Sequence, residues 1–233
     1  MSTTSPSQRV NFYGRRVGKA FSARQQDLYD KLLPKLLWDG AFPESWRGKT
    51  VCLEVGFGGG EHLAAQLTQN TNMAFIGVEP FRNGMVKLLT QVVEDESLQD
   101  RLRLWDQPLQ DLIGTLPPAA FDKVYMLFPD PWPKKRHQKR RLFSKDVCTQ
   151  MQRLLKDGGK VILASDDTDY VKQMIRILNE TTDLSFECGA ENSDPTAWPA
   201  WPNDWPITRY GQKALREGRS LAHMVWRKDL QET

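Results

Sequence analysis

The feature that most constrains the fold of this chain is a short apolar segment that runs directly into a glycine loop and then into a helical pattern. Residues 50–55 read TVCLEV, residues 56–60 read GFGGG, and the helical pattern begins at residue 61. Such a strand, loop and helix open many nucleotide-binding sheets, because glycine lets backbone approach a ligand closely. Tight turns also use glycine, so the loop alone leaves its function open.

Strands and helices continue to alternate after this unit. Apolar runs predict further strands at residues 73–78, 101–105, 123–128 and 160–165. Apolar residues at helical spacing predict helices at residues 83–94, 108–116, 142–155 and 170–178. This alternation predicts an α/β fold with a doubly wound, mostly parallel sheet. Two later strands are expected at residues 184–188 and 220–227, the last of them antiparallel at an edge of the sheet.

The length of 233 residues is enough for one sizeable core. We therefore predict a single domain over residues 26–233. Residues 1–25 are rich in Ser, Thr, Arg and Gly and contain no Asp or Glu. Their composition predicts a flexible basic arm, with an arm that becomes ordered on RNA as the alternative.

Composition also excludes several classes of protein. The three cysteines are odd in number and widely spaced, which is unlike a disulfide framework or a pair of metal ligands. The three histidines lie far apart, so we predict no metal site. Neither a signal peptide nor an apolar run of membrane length is present. We expect a cytoplasmic protein that does not bind membranes.

Acidic residues lie at the carboxyl ends of the first three predicted strands. Glu54 lies within the first strand, and Glu79 and Asp106 follow the second and third. Ligands of open parallel sheets bind beyond these ends. An acid roughly twenty residues after a glycine loop commonly accepts hydrogen bonds from the hydroxyls of a ribose. A single acid at a strand end often only caps a helix. Three in succession predict a ligand that contains a nucleoside.

A dinucleotide dehydrogenase shares these features but differs in its glycine loop. Such enzymes normally carry GxGxxG, whereas residues 56–60 read GxGGG. The negative charge of Glu54 beside the glycines also suits a cationic ligand without phosphates better than a pyrophosphate. S-adenosyl-L-methionine (SAM) is such a ligand, and we predict it as the cofactor, in contact with Gly56 and Gly58.

A proline-rich acidic turn follows the fourth predicted strand and continues without a spacer into a basic run. The turn is FPDPWP at residues 128–133, and the run is KKRHQKRR at residues 134–141. Three prolines each fix a φ angle, so Asp130 is held beside the predicted cofactor with little conformational entropy left to lose. The six cations of the run can neutralise several phosphates, which predicts salt-dependent binding of RNA.

With these motifs the chain resembles the bacterial tRNA (guanine-N(7)-)-methyltransferases. The resemblance covers about residues 12–226 and rests on LEVGFGGG, GVEPFRNG, FPDPWPKKRHQKRR, SDD and TRY. The FPDPW-x-K-x-R-H-x-K-R-R combination is highly specific, whereas many methyltransferases share the glycine loop. The resemblance implies the SAM-dependent methyltransferase variant of the doubly wound sheet. It also implies methyl transfer to N7 of a guanine in tRNA, at position 46 of the variable loop.

The resemblance also implies roles for particular residues. The SAM site would be lined by Glu54, Glu79, Asp106 and Asp130. Substrate contacts would come from Lys134, Asp166, Thr208, Arg209, Tyr210 and Gly211. RNA contacts would come from Arg136, His137, Lys139, Arg140 and Arg141. Family members commonly read T-x-[FY]-E where this chain has glycine at position 211, so one expected acid is missing.

The chemistry of guanine N7 indicates which residue is catalytic. This nitrogen carries a lone pair and no proton, so its attack on a methyl group needs no strong base, and positioning and charge dominate. The product base gains positive charge, which the carboxylate of Asp130 can stabilise, so we predict that Asp130 is catalytic. A non-catalytic SAM- or RNA-binding module and a methyltransferase acting on nucleobase amino groups remain alternatives. We expect a monomer or a homodimer.

Overall fold

The structure is a computed structural model that describes residues 13–203 and 205–230. Seven strands of the described chain form one sheet. They are β1 (Thr50–Val55), β2 (Met73–Val78), β3 (Leu102–Trp105), β4 (Phe121–Leu127), β5 (Leu155–Ser165), β6 (Leu184–Gly189) and β7 (Ala222–Lys228). The predicted bounds of β1 and β2 are confirmed to the residue, because both strands are buried runs ended by glycine, proline or polar turns.

Helices cover both faces of this sheet. They are α1 (Ala23–Lys31), α2 (Leu33–Leu36), α3 (Glu61–Gln69), α4 (Arg82–Val92), α5 (Glu96–Asp100), α6 (Lys145–Leu154), α7 (Thr168–Thr181) and α8 (Arg209–Arg216). Three short 3₁₀ turns lie at Glu44–Trp46, Leu109–Asp111 and Lys135–Arg140. The prediction of a helix at residues 108–116 was wrong, because only the 3₁₀ turn Leu109–Asp111 forms there. Pro108 and Gly114 flank that turn and disfavour a longer helix.

The strand order is β3-β2-β1-β4-β5-β7-β6. The first five strands are parallel, and β7 is antiparallel to both of its neighbours. This confirms the predicted doubly wound, mostly parallel sheet. The chain runs outward from β1 through β2 to β3, and then resumes on the other side of β1 with β4. The carboxyl ends of β1 and β4 therefore flank the switch point at which such sheets bind ligands.

The antiparallel strand lies next to the edge of the sheet, and β6 is outermost. We had expected the last strand at the edge itself. Its burial explains the difference, because β7 is buried from Ala222 to Trp226, whereas β6 is partly exposed after Leu184. A continuously buried strand needs a neighbour on each side, and an edge strand tolerates exposure.

Two apolar clusters fill the space between the sheet and its helices. Leu53 and Val55 of β1 belong to the cluster that includes α6 and α7. Cys52 lies on the opposite face, with α3 and α4. Because side chains alternate along a strand, Glu54 shares the face of Cys52 and points toward the helix that follows the glycine loop.

The segment before α1 packs against the start of α4. The carbonyl of Arg16 accepts a hydrogen bond from the backbone N–H of Arg82 at 3.0 Å. The side chain of Asn83 accepts from the backbone N–H of Gly18 and donates to the carbonyl of Lys19, both at 2.8 Å. Residues 1–12 of the predicted arm lie outside the described residues. The division into an arm and a single domain stays a prediction.

The helices offer no candidate for a membrane span. Within the two described ranges, none is both long enough and apolar enough to cross a bilayer.

Candidate active site

A cavity of about 1180 Å³ opens at the switch point of the sheet. Its walls come from the glycine loop after β1, the turn after β2, the segment after β3 and the proline-rich turn after β4. The segment before α1, the start of α6 and one residue of α8 complete it. Of the residues predicted from the sequence, those that line it are Gly56, Gly58, Glu79, Asp130, Lys139, Arg140, Arg141 and Tyr210.

The glycine loop places bare backbone against this cavity. Gly56 and Gly58 have φ angles of 71° and 60°, a left-handed region that other residues adopt only with strain. A Cβ atom added to Gly56 would meet nothing within 4 Å, so open space lies directly above its backbone. A ligand can therefore lie against the peptide at Gly56, as the sequence predicts for a cofactor.

Glu79 is fixed at the edge of the cavity by backbone hydrogen bonds. Its Oε2 accepts from the N–H of Gly58 at 2.7 Å, and its Oε1 accepts from the N–H of Phe81 at 2.9 Å. The side chain is buried, and burial raises its pKa to about 7, against the lowering effect of these two bonds. Each carboxylate oxygen has a second lone pair, so Glu79 can still accept hydrogen bonds from a ligand.

The other two acids predicted to bind the cofactor do not line the cavity. Glu54 is buried beneath the loop, and its Oε2 lies 2.7 Å from Nδ1 of His62. Asp106 accepts a hydrogen bond from Nε2 of Gln107 at 3.0 Å, and Gln107 in turn accepts one from Arg16 at 2.5 Å. Their roles in cofactor binding stay predictions.

The proline-rich turn holds Asp130 between two strained residues. Phe128 and Trp132 have φ angles of 51° and 45°, although neither is glycine. Such backbone costs on the order of 1–3 kcal/mol per residue and collects at functional sites. The ring of Phe128 stacks on Trp201 at 5.8 Å, which supports the turn from behind. Part of the Asp130 side chain is exposed to solvent. Neighbouring groups remove water from the carboxyl, and this desolvation raises its pKa above the ordinary value.

Arg141 anchors this turn to the body of the protein. Its Nε donates to the carbonyl of Pro131, its Nη1 to Gln173 and its Nη2 to Asp169, each at 2.6 Å. The residue is only 5% exposed. We had expected Arg141 to contact RNA with the rest of the basic run, but the fold buries it and uses all three nitrogens internally. A charge pattern cannot reveal this, because tertiary packing decides which cation is buried.

Arg140 is also held within the protein. Its guanidinium carbon lies 5.0 Å from the ring centre of Tyr13 and 5.0 Å from that of Trp132. Cations over aromatic rings are stabilised by the negative face of the ring. Arg140 therefore joins the segment before α1 to the proline-rich turn at the mouth of the cavity.

The remaining cations of the run face solvent. Lys134, Lys135, Arg136 and Lys139 are exposed, and none forms an ion pair with an acid in the part of the chain that the structure describes. The ring of His137 packs edge-on against Trp132 at 5.9 Å. Partial burial, together with the neighbouring arginines and lysines, lowers the pKa of His137. Four positive charges that form no ion pair within the described residues thus lie beside the cavity.

The predicted substrate residues after position 207 begin a helix that we had not expected, α8. Thr208 caps it by accepting a hydrogen bond from the N–H of Gly211 at 3.3 Å. Tyr210 lines the cavity, and its hydroxyl accepts from Arg209 at 3.1 Å. A threonine followed by good helix formers is the signal that could have revealed this helix.

Gly211 is enclosed where family members carry an acid. A Cβ atom there would lie 2.9 Å from Ile207 and 3.2 Å from the ring of Phe128. A glutamate therefore cannot be accommodated without a shift of these groups. Asp166 lies apart from the cavity lining and accepts a hydrogen bond from Arg219 at 2.8 Å.

Some residues that line the cavity were not predicted from the sequence. They are Tyr13, Gly14, Arg15, Ser144, Asp146 and Gln150, among others. The first three belong to the segment that we had taken as a flexible arm. The aromatic and basic residues within it, YGRR at residues 13–16, are the signal that could have marked it. No cluster of three or more potential metal ligands occurs in the described chain.

Comparison with known proteins agrees with this architecture. A crystal structure of the 16S rRNA methyltransferase KamB matches with a TM-score of 0.53 and 12% identity, over 83% of this chain and 95% of that chain. At this identity the match shows the fold alone, and the fold is that of a methyltransferase. Residues 48–224 match the family described as "Putative methyltransferase".

Two relatives show to which family of methyltransferases the chain belongs. The chain is 38% identical over 236 residues to the tRNA (guanine-N(7)-)-methyltransferase of Rhodospirillum rubrum, covering 96% of this chain and 89% of the relative. It is 41% identical over 225 residues to the protein of the same name from Agrobacterium fabrum, covering 92% and 94%. The chain belongs to the tRNA (guanine-N(7)-)-methyltransferase family.

The raised pKa of Glu79 predicts how stability depends on pH. A carboxyl whose pKa is about 7 in the folded protein, against an ordinary 4.5, stabilises the fold below its ordinary pKa, and this contribution is lost as pH rises through about 7. Glu79→Gln stays neutral and should escape this loss. We expect its free energy of unfolding, relative to that of the unsubstituted protein, to increase between about pH 5 and about pH 8 in urea denaturation.

The matched control is Glu191→Gln, since Glu191 is exposed. Its free energy of unfolding should change with pH in the same way as that of the unsubstituted protein. Parallel curves for Glu79→Gln as well would contradict the environment described for Glu79.

Proposed function

We propose that this protein transfers a methyl group from SAM to N7 of a guanine in tRNA, forming 7-methylguanosine. The observation that carries the proposal is one cavity that joins the glycine loop, Glu79 and Asp130 and is flanked by unpaired cations. The relatives that bear this activity in their names match nearly the whole chain. We further propose that the guanine is at position 46 of the variable loop, and that the enzyme acts in the bacterial cytoplasm.

The residues present fit SAM as the methyl donor. Open space above the backbone of Gly56 can hold the cofactor, and Glu79 can accept hydrogen bonds from ribose hydroxyls. The buried Glu54 supplies negative charge near the loop, which suits a cationic ligand. When bound, SAM supplies a methyl group on a positively charged sulfur.

The acceptor guanine belongs on the side of the cavity formed by the proline-rich turn. Asp130 faces the cavity from the end of β4, and Tyr210 faces it from α8. N7 attacks with its lone pair and loses no proton, so the protein needs to orient the base and stabilise the charge it gains. The carboxylate of Asp130 can do both, and we assign it as the catalytic residue.

The rest of the tRNA is held through its phosphates. Lys134 lies just before the 3₁₀ turn Lys135–Arg140, and Lys135, Arg136 and Lys139 lie within it. Lysine and arginine on phosphates position a nucleic acid without reading its sequence. This arrangement lets the RNA backbone pass beside the cavity while one base enters it. Whether the protein acts as a monomer or a homodimer stays a prediction.

Locating the transferred methyl group tests the proposed reaction. The protein is incubated with unmodified tRNA and SAM labelled in its methyl group, and the labelled nucleoside is identified and mapped. We expect 7-methylguanosine in the variable loop. Label on an exocyclic amino group would favour the alternative nucleobase methyltransferase, and binding of SAM and tRNA without transfer would favour a non-catalytic module.

The role of Asp130 predicts a large loss of turnover. Asp130→Ala removes the charge that stabilises the product base, and we expect the rate of methyl transfer to fall about 100-fold or more. Asp183→Ala is the matched control, because Asp183 is an exposed aspartate that does not line the cavity. Near-normal turnover by folded Asp130→Ala protein would rule out the assignment.

The role of the exposed cations predicts a change in salt dependence. In the double variant Lys135→Ala/Arg136→Ala, the slope of log K for tRNA against log salt should become shallower by roughly one to two. The control is Lys35→Ala/Arg47→Ala, which removes one lysine and one arginine that lie before β1, away from the cavity. An unchanged slope in the first variant would show that these residues do not contact phosphate.

A further inference from the structure

His62, for which the sequence predicts no role, forms a buried pair with Glu54. Both side chains are only 2% exposed, and Nδ1 of His62 lies 2.7 Å from Oε2 of Glu54. Glu54 lies in β1, two residues before Gly56, and His62 is the second residue of α3. The pair therefore ties the strand to the helix across the glycine loop that borders the cavity.

The chemistry of this contact fixes the tautomer of the histidine. An ionised carboxylate only accepts hydrogen bonds, so Nδ1 of His62 carries the proton and donates. The other ring nitrogen, Nε2, is buried and has no hydrogen-bond partner within the described residues. A proton on Nε2 would leave a buried N–H unsatisfied, which costs about 1–3 kcal/mol. With the proton on Nδ1, the hydrogen bond leaves the formal negative charge on the carboxylate of Glu54.

The surroundings leave that charge uncompensated. Within residues 13–203 and 205–230, Glu54 forms no ion pair with a lysine or an arginine. The ring of His62 packs against Tyr125 at 4.9 Å, and Tyr125 lies opposite Glu54 in the register of β1 and β4. A negative charge in such a buried site acts over several ångströms, because little solvent screens it.

We infer that His62 is a positioning residue for the cofactor: it holds the Glu54 carboxylate as an anion beneath the glycine loop, so that the loop favours a ligand with a cationic sulfur. The inference rests on the proposed function, because it assumes that SAM binds at this loop. The two forms of the cofactor differ by one methyl group and by the charge of the sulfur that carries it. SAM carries a positively charged sulfonium, whereas S-adenosylhomocysteine, which remains after transfer, carries a neutral sulfur. His62 thereby helps the site to prefer substrate to product.

Replacing His62 distinguishes its role as a hydrogen-bond donor to Glu54 from a role in packing alone. His62→Phe keeps a ring against Tyr125 but removes the donor. Without that hydrogen bond, the buried carboxylate of Glu54 loses the donor that offsets the cost of burying its charge, and the attraction for the sulfonium weakens. His62→Asn provides rescue, because the amide nitrogen of asparagine can take the place of Nδ1 as a donor. Glu54→Gln removes the charge directly.

The experiment measures the affinities of SAM and S-adenosylhomocysteine by calorimetry for each folded variant. In His62→Phe and Glu54→Gln we expect SAM to bind about tenfold more weakly, because the buried negative charge no longer attracts the sulfonium, with a much smaller loss for S-adenosylhomocysteine. His62→Asn should keep the ratio of the two affinities close to that of the unsubstituted protein.

The control is His223→Phe, because His223 is another buried histidine, has a ring nitrogen without a hydrogen-bond partner among the described residues, and packs on Trp201 and Trp205. It should leave the ratio unchanged, whatever it does to stability. Equal weakening of both ligands in His62→Phe, or no weakening, would overturn the inference. Failure of the unsubstituted protein to bind SAM would instead overturn the proposed function.

Discussion

The buried guanidinium of Arg141 is the interaction on which the geometry of the cavity depends. It binds a backbone carbonyl of the proline-rich turn on one side and two side chains of α7 on the other. Buried arginine is stable only when its donors are satisfied, and here each nitrogen has an acceptor. The turn carries two residues with positive φ, so an anchor of this kind is needed to hold its strained backbone in one conformation.

This anchor links the sheet to the chemistry at its edge. The switch point between β1 and β4 places the glycine loop and the turn side by side, and Arg141 ties the turn to α7. Asp130 and Gly56 thus line the same cavity. The basic run consequently divides into two parts. Arg140 and Arg141 line the wall of the cavity, and the exposed cations before them are those that we propose bind RNA.

Local patterns predicted most of the fold, and tertiary packing decided the rest. β1 and β2 were predictable because each is a buried run with clear ends. The position of β7 inside the sheet was not, since strand order depends on pairing between distant segments. In the site, Glu79 and Asp130 were predictable from their places after strands. The burial of Arg141 and the pairing of Glu54 with His62 were not, because neighbours distant in the chain or on another element create them.

The anchoring role of Arg141 is tested most directly by comparing Arg141→Met with Lys135→Met in thermal stability, turnover and the salt dependence of tRNA binding. If Arg141 anchors the turn, Arg141→Met lowers the thermal midpoint and the turnover while the slope of log K against log salt stays unchanged. Lys135→Met should instead keep the turnover and make the slope shallower by about one. A shallower slope with normal stability and turnover in Arg141→Met would show that Arg141 binds phosphate and does not anchor the turn.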